Sequence, residues 1–245
     1  MKNSVEVINL KKSYGLKEAV KNISFKIKNS EILGLLGPNG CGKTTTIGMI
    51  LGLLKQSSGE ILINGMKIQE NRIDILQKIN FISPYIELPK KLTVKQNLTV
   101  YGKLYNIKNL KSRIDFLVNE LRLEDLLNRV TGELSSGQKN RISLAKALIN
   151  EPNVLLLDEP TASLDPEVGD YIRTFLENYI KEKNISILLA SHNMNEVKRL
   201  CSNVLMMKDG AIIDTGTPDE LIKKHGRQNL EEVFLKLTRD NNEFY

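Results

Sequence analysis

Gly37-Pro38-Asn39-Gly40-Cys41-Gly42-Lys43-Thr44 fits the pattern G-x-x-x-x-G-K-[ST], and the sequence on both sides fits what that pattern needs. The run before it, Ile32 to Leu36, is short and apolar, as a fully buried strand is. The run after it, Thr45 to Leu54, carries apolar residues at helical spacing and is followed by Ser57-Ser58-Gly59. Strand, glycine loop and helix form the setting in which this motif binds phosphate. The glycines let backbone N–H groups turn inward around phosphate oxygens, and the helix N-terminus adds positive potential. Lys43 is placed to reach the β- and γ-phosphates, and the Thr44 hydroxyl to ligate Mg²⁺. With average residue usage the four fixed positions arise by chance in about one chain of this length in a hundred, and the strand and helix make coincidence rarer still. The sequence therefore predicts binding of a nucleoside triphosphate.

A second short apolar run, Val154-Leu155-Leu156-Leu157-Asp158-Glu159-Pro160, ends in two carboxylates. A buried parallel strand here delivers Asp158 towards the metal ion. Glu159, one residue on and pointing the other way along a strand, is a candidate to orient the attacking water or take its proton. Alone, Asp-Glu-Pro would be an ordinary exit from a strand. At this spacing after a phosphate loop, it is a candidate catalytic pair.

Between the two motifs lies Leu134-Ser135-Ser136-Gly137-Gln138, followed by Arg141 and a helix-like run to Leu148. Read alone it is a helix start with Ser135 or Ser136 at the N-cap. In this place it resembles the L-S-G-G-Q signature of the ATP-binding-cassette (ABC) ATPases, with Ser136 where that family has glycine. The resemblance extends along nearly the whole chain. It implies an α/β fold: a P-loop NTPase with a RecA-like parallel-sheet core, an N-terminal antiparallel β-subdomain, and an inserted α-helical subdomain at about residues 85–150. It also implies that ATP and Mg²⁺ are the cofactors. Tyr14, in Lys12-Ser13-Tyr14-Gly15, would stack on adenine. Gly37, Pro38, Asn39, Gly40, Cys41, Gly42, Lys43, Thr44 and Thr45 would surround the nucleotide. Ser135, Gly137 and Gln138 would close over the γ-phosphate held by a partner subunit, so that two helix N-termini sandwich one nucleotide. Thr44 and Asp158 would hold the metal. Glu159, His192 and Lys43 would act in hydrolysis, His192 following the buried run Leu188-Leu189-Ala190-Ser191. Ala162-Ser163-Leu164-Asp165 resembles the family's loop at the dimer interface. The other histidine, His225, lies in a basic stretch and is expected to be a solvated surface residue.

One landmark of the family is missing. Its usual Mg²⁺-ligating glutamine falls, counting back from Leu92-Thr93-Val94, on Pro84 in Phe81-Ile82-Ser83-Pro84-Tyr85. Proline offers neither a side-chain oxygen nor a backbone N–H. Water, which Mg²⁺ readily keeps, or the Ser83 hydroxyl is expected to take that position.

Composition is that of an ordinary soluble domain: 245 residues, 41% hydrophobic, with no apolar run of membrane-spanning length and no signal-peptide core. Two cysteines far apart in sequence suit a reducing compartment. Cys41 takes a packing role by default, although a thiol beside bound phosphate could be open to alkylation. The net charge of +6 is spread over scattered lysines without interleaved aromatics, which argues against nucleic acid and suits a membrane surface of acidic lipid.

Val5 to Leu10, Val20 to Lys28 and Glu60 to Asn64 read as strands, and Thr93 to Asn128 as a helical lobe. Helices follow at Pro166 to Lys183 and Met194 to Cys201, with a strand at Ile185 to Ala190 between them. Asp209-Gly210 marks a hairpin between Val204–Met207 and Ala211–Asp214. The cassette spans residues 1–225, and 226–245 form an amphipathic tail resembling the endings of bacterial exporter-type cassettes. With one cassette per chain, the expected partners are a second ABC ATPase subunit and an integral membrane permease, on the inner, cytoplasmic face of the cell membrane. The alternatives are an ATP-dependent clamp with little turnover and a soluble ABC ATPase outside any transporter.

Overall fold

The computed structural model describes residues 3–83, 87–161 and 164–238. In chain order the elements are strands β1 (Asn3–Tyr14), β2 (Lys17–Lys28) and β3 (Ile32–Leu36), helix α1 (Lys43–Ile50), strands β4 (Ser58–Ile63) and β5 (Met66–Lys67), and helix α2 (Arg72–Leu76). Strand β6 (Ile79–Ile82), helices α3 (Val94–Leu104), α4 (Leu110–Glu120) and α5 (Ser136–Leu148), strand β7 (Val154–Asp158) and helix α6 (Pro166–Lys183) come next. The last described elements are strand β8 (Ser186–Ala190), helix α7 (Met194–Leu200), strands β9 (Asn203–Lys208) and β10 (Ala211–Gly216), and helices α8 (Pro218–His225) and α9 (Leu230–Thr238). Two compact units result: one from the chain up to Ile75 together with the chain from Ser186 onward, the other from Leu76–Ile185.

The first unit carries two kinds of sheet. β2, β1, β4 and β5 pair antiparallel in that order. On β2 the buried Ile23, Phe25 and Ile27 alternate with exposed residues, the period of a sheet with one wet face. β1 runs on to Tyr14, past the predicted Leu10, because register shifts around Asn9 (φ 47°) let it continue beyond a break in the alternation. β3 lies parallel between β8 and β9, with β10 antiparallel on β9. β3 and β8 are buried at every position, which is why both read as short, mainly apolar runs, with Ser186 the polar residue of β8. The β9–β10 turn has positive φ at both Asp209 (49°) and Gly210 (82°), as a two-residue hairpin of this twist requires.

The end of the chain is tied into this unit. Thr217 and Glu220 form a capping box that starts α8, and α9 buries Leu230 and Val233. His225 corrects the expectation of a solvated histidine: its side chain is 13% exposed, and Nε2 lies 2.7 Å from the Asp214 carboxylate. Lys224 donates to the same carboxylate at 2.6 Å. A sequence reading sees only a basic stretch there. Asp214, eleven residues upstream of His225, joins it only once α8 folds back over β10.

In the second unit β6 and β7 run parallel, pairing Ile79 with Val154 and Ile82 with Leu157. The predicted helical lobe resolves into α3, α4 and a 3₁₀ turn at Glu124–Leu126. α3 starts with a Thr93–Gln96 capping box. The buried Asn97 donates to the Thr131 hydroxyl at 2.8 Å and to the Pro89 carbonyl at 3.1 Å, holding the approach to α5 against α3. Lys146 of α5 sits over the rings of Phe81 (4.7 Å) and Tyr101 (5.5 Å) and donates to the Asn80 side chain and the Phe81 carbonyl.

Burial pushes the Lys146 ammonium down to about 8. The folded protein therefore holds fewer protons than the unfolded chain between about pH 8 and the ordinary lysine value near 10.4, and stability contributed by this site rises with pH there. Relative to Lys146→Met, the wild-type protein is expected to gain about 2 kcal/mol over that interval in urea unfolding. Parallel pH profiles would contradict this. At Asp214 burial acts upward, but hydrogen bonds from Lys224, His225 and the Thr215 amide outweigh it and hold the carboxyl below its usual range. The contribution is thus full above about pH 4 and lost as pH falls towards the folded value. Asp214→Ala is expected to cost about 1–3 kcal/mol at neutral pH, with the difference shrinking in acid. A cost that persists unchanged in acid would show that packing, not charge, holds the tail.

Candidate functional site

β3 ends at Leu36 and the chain turns at once into the phosphate loop. At Gly37 any Cβ would collide with Cys41 Sγ and the Met207 carbonyl. At Gly42 φ is 110° and a Cβ would lie 2.6 Å from the Ala19 carbonyl, so both positions admit only glycine. The Cys41 amide donates to the Pro38 carbonyl at 3.2 Å, closing the turn. The Gly210 amide donates to the Cys41 carbonyl (3.0 Å) and the Lys21 amide to the Gly210 carbonyl (2.7 Å), bracing the loop with β2 and the β9–β10 turn. Lys43 Nζ folds back onto the Gly37 and Pro38 carbonyls, at 2.6 and 3.1 Å. α1 has no side-chain N-cap bond and no acidic residue in its first turn, and it ends at Ile50, short of the predicted Leu54. Its leading amides are therefore not answered by a side chain, which is the chemistry of an anion site. Asn39, Gly40 and Thr44 are exposed beside Pro38, Lys43 and Thr45, which are half-buried. Cys41 is 3% exposed. Burial pushes its thiol up, against a smaller opposing pull from Lys43, which favours a packing role over a reactive thiolate.

Strand register brings His192 to this edge of the first unit. Leu35 pairs with Ala190, so Gly37 and His192 each emerge two residues beyond a paired position at the same end of parallel strands. His192 is exposed. Its turn is shaped by neighbours that sequence reasoning missed. Ser191 Oγ donates to the buried Glu196 carboxylate at 2.6 Å and accepts from the Asn193 amide, and Asn193 caps α7. The sequence signal was present in Asn193, three residues before Glu196, a helix start of ordinary form. Tyr14, at the end of β1, leaves 49% of its surface exposed, with Lys12 Nζ 4.8 Å from the ring centroid.

In the second unit, pairing of Ile82 with Leu157 places Ser83 and Asp158 at one end of the β6–β7 pair. Asp158 is 6% exposed. Glu159 departs from the expected strand alternation: its φ is 53°, so a left-handed turn and not the pleat sets its direction. Pro84, and Ala162 and Ser163 of the predicted interface loop, lie outside the described residues. Ser135 is the N-cap of α5, accepting from the Gln138 amide at 3.2 Å, while its own amide donates to Gln138 Oε1 at 3.1 Å. Both side chains are thereby committed to the helix start. The first turn carries no acidic residue, and Ser136 and Gly137 stand at its tip. Leu134, 4% exposed, anchors the approach. Among the described residues no group of three or more His, Cys, Asp or Glu could hold a metal. Thr44 and Asp158 each offer an oxygen, the kind of donor that a hard cation prefers.

Residues 20–162 match the ABC transporter family. The chain is 34% identical over 226 residues to the ABC transporter ATP-binding protein NatA of Bacillus subtilis (strain 168), covering 91% of this chain and 92% of that protein. It is 34% identical over 235 residues to the Nod factor export ATP-binding protein I of Rhizobium sp. (strain N33), covering 95% and 77%. Among solved structures, an ATP-binding subunit of an ABC transporter superposes with a TM-score of 0.89 at 26% identity, covering 96% of this chain and 99% of that one. A dimeric post-hydrolysis state of an ATP-binding cassette bound to ADP and Pi superposes with a TM-score of 0.81 at 26% identity, covering 87% and 98%. A loop on a glycine-forced turn, a buried strand ending at Asp158 and a capped α5 agree with these likenesses, and the chain belongs to the ABC transporter family as an ATP-binding ATPase subunit.

Proposed function

We propose that two copies of this cassette, or one copy and a relative, close around two ATP molecules and thereby drive a separate membrane-spanning permease in the direction of export. The observation that carries this reading is the presence of two helix N-termini prepared for phosphate. α1 follows a glycine loop, and α5 starts at a Ser135–Gln138 capping box with no loop of its own. A second anion-seeking N-terminus suits a nucleotide held elsewhere, on a partner's loop. Gly37 to Thr45 surround the phosphates, and Tyr14 offers an open ring to the adenine. Thr44 and Asp158 hold Mg²⁺ together with phosphate oxygens and water. Lys43 leaves the Gly37 and Pro38 carbonyls for the β- and γ-phosphates and neutralises charge in the transition state. Glu159 accepts a proton from the attacking water, and His192 donates to the γ-phosphate from the edge beside Gly37. The Ser136 and Gly137 amides close the site from the opposite subunit.

Closure is favoured by ligand, and hydrolysis removes the ligand that favours it, so a cycle of ATP turnover becomes a cycle of permease conformations. Export is supported by a relative named for export and by the amphipathic α9. No helix among the described residues is long and apolar enough to cross a membrane. In this reading the cassette docks on the inner face of the membrane through its permease.

Lys43→Ala is expected to weaken ATP binding at least about tenfold, since one charged contact of this kind is worth a factor of that size or more. Glu159→Gln is expected to keep ATP binding and to sediment as a dimer when ATP and Mg²⁺ are present. Adding Gly137→Glu should abolish that dimer while leaving ATP bound to the monomer. A Glu159→Gln protein that stays monomeric with ATP bound, or a dimer indifferent to Gly137→Glu, would overturn the sandwich.

A further inference from the structure

The end of β1 is stitched to the chain that follows α1. The Ser57 amide donates to the Lys11 carbonyl at 2.9 Å, and the Ser13 amide donates to Ser57 Oγ at 3.0 Å. Between them the Lys12 ammonium donates to the Lys55 carbonyl at 2.7 Å. The partner strand is irregular at the same level. Lys12 pairs with Val20 and Ser13 with Glu18, so Ala19 is an extra residue on β2. A Cβ on Gly42 would lie 2.6 Å from the Ala19 carbonyl oxygen, and one on Gly210 would lie 2.9 Å from it. The bulged residue is thus packed against the phosphate loop and the turn that braces it. This end of the β1–β2 hairpin is seated on the loop, with Tyr14 as the last residue of β1.

The Tyr14 side chain is exposed, Gly15 brings no side chain to it, and Leu16 is fully exposed. An exposed tyrosine at a strand end can change rotamer and present either face of its ring. Lys12 limits that freedom. Its Nζ stands 4.8 Å from the ring centroid, within the range at which a cation is attracted to the face of an aromatic ring. The hydrogen bond to the Lys55 carbonyl holds the same nitrogen in place from the other side. One face of the ring is therefore taken by a tethered cation, and the other is left for a ligand.

A nucleotide base stacks on one face of an aromatic side chain, and a ring already held in its bound orientation loses less freedom when the base arrives. We propose that Lys12 is a positioning residue for the nucleotide base: it fixes the Tyr14 ring and closes one of its faces, so that the base stacks on the other. This role rests on that of Tyr14 as the platform for adenine. Lys12 itself touches neither base nor phosphate.

The test uses the full chain with Mg²⁺ and calorimetric affinities for two probes, a non-hydrolysable ATP analogue and inorganic triphosphate, which has no base. Lys12→Met is expected to weaken the ATP analogue about threefold and to leave inorganic triphosphate unchanged. Lys12→Arg, which keeps a cation, should restore the affinity for the analogue. In a Tyr14→Ala background, Lys12→Met should have no further effect on either probe. The chain has no tryptophan, so Tyr14→Trp introduces a single indole whose emission reports a base on its face. Quenching by the ATP analogue should saturate at about threefold higher concentration once Lys12→Met is added. Equal weakening of both probes by Lys12→Met would reduce Lys12 to a brace of the strand end and overturn the proposal. If Tyr14→Ala weakens the analogue alone and Lys12→Met does not, the platform stands and the positioning role falls. If Tyr14→Ala leaves the analogue as tightly bound as before, both fall together.

Discussion

The first unit depends on a change of direction at the end of β3. The chain leaves a strand buried at every position and within two residues must present its backbone N–H groups to an anion. Only a residue without a Cβ can stand at Gly37, where Cys41 and the Met207 carbonyl already occupy the space. Such a loop exposes carbonyls as well as amides, and Lys43 covers two of them. Each charged hydrogen bond of that kind contributes about 1.5–3 kcal/mol. The ammonium thus holds the loop in shape, and in the proposed function the phosphates replace the carbonyls as its partners. The exchange of one set of oxygens for another lets the loop be preorganised and still available.

The brace around this loop explains why distant parts of the chain matter to it. The hairpin turn at Asp209-Gly210 is linked to the Cys41 carbonyl on one side and accepts from Lys21 on the other. β9, which carries that hairpin, pairs with β3 itself. The C-terminal helices in turn fasten β10 through Asp214, Lys224 and His225. A change in the tail can therefore reach the phosphate loop through the β9–β10 pair, without any contact with nucleotide.

Much of this was legible in the sequence, for physical reasons that can be named. β3, β7 and β8 are buried on both faces and show as short, mainly apolar runs. α6 is announced by Pro166 at its start, and its predicted limits coincide with those found. Asp209-Gly210 had to be a turn because few residue pairs accept two positive φ values. What the sequence concealed were features created by long-range packing. The continuation of β1 through a bulge, the left-handed turn at Glu159, the Ser191–Glu196 hydrogen bond behind His192 and the partnership of His225 with Asp214 have no local periodicity to betray them. The Ser135–Gln138 capping box lay between these cases. Its spacing was visible, but only the folded helix start shows that both side chains are occupied, leaving backbone amides as the donors.

The central claim is that this ATPase works on a membrane-spanning partner. Its most direct test is capture of tagged Glu159→Gln protein, with ATP and Mg²⁺ present, from detergent-solubilised membranes of the native cell, with partners identified by mass spectrometry. A stoichiometric protein with several membrane spans, lost when Lys43→Ala is added, is the predicted result. Recovery of soluble partners alone, or of the same membrane protein regardless of ATP binding, would contradict the account.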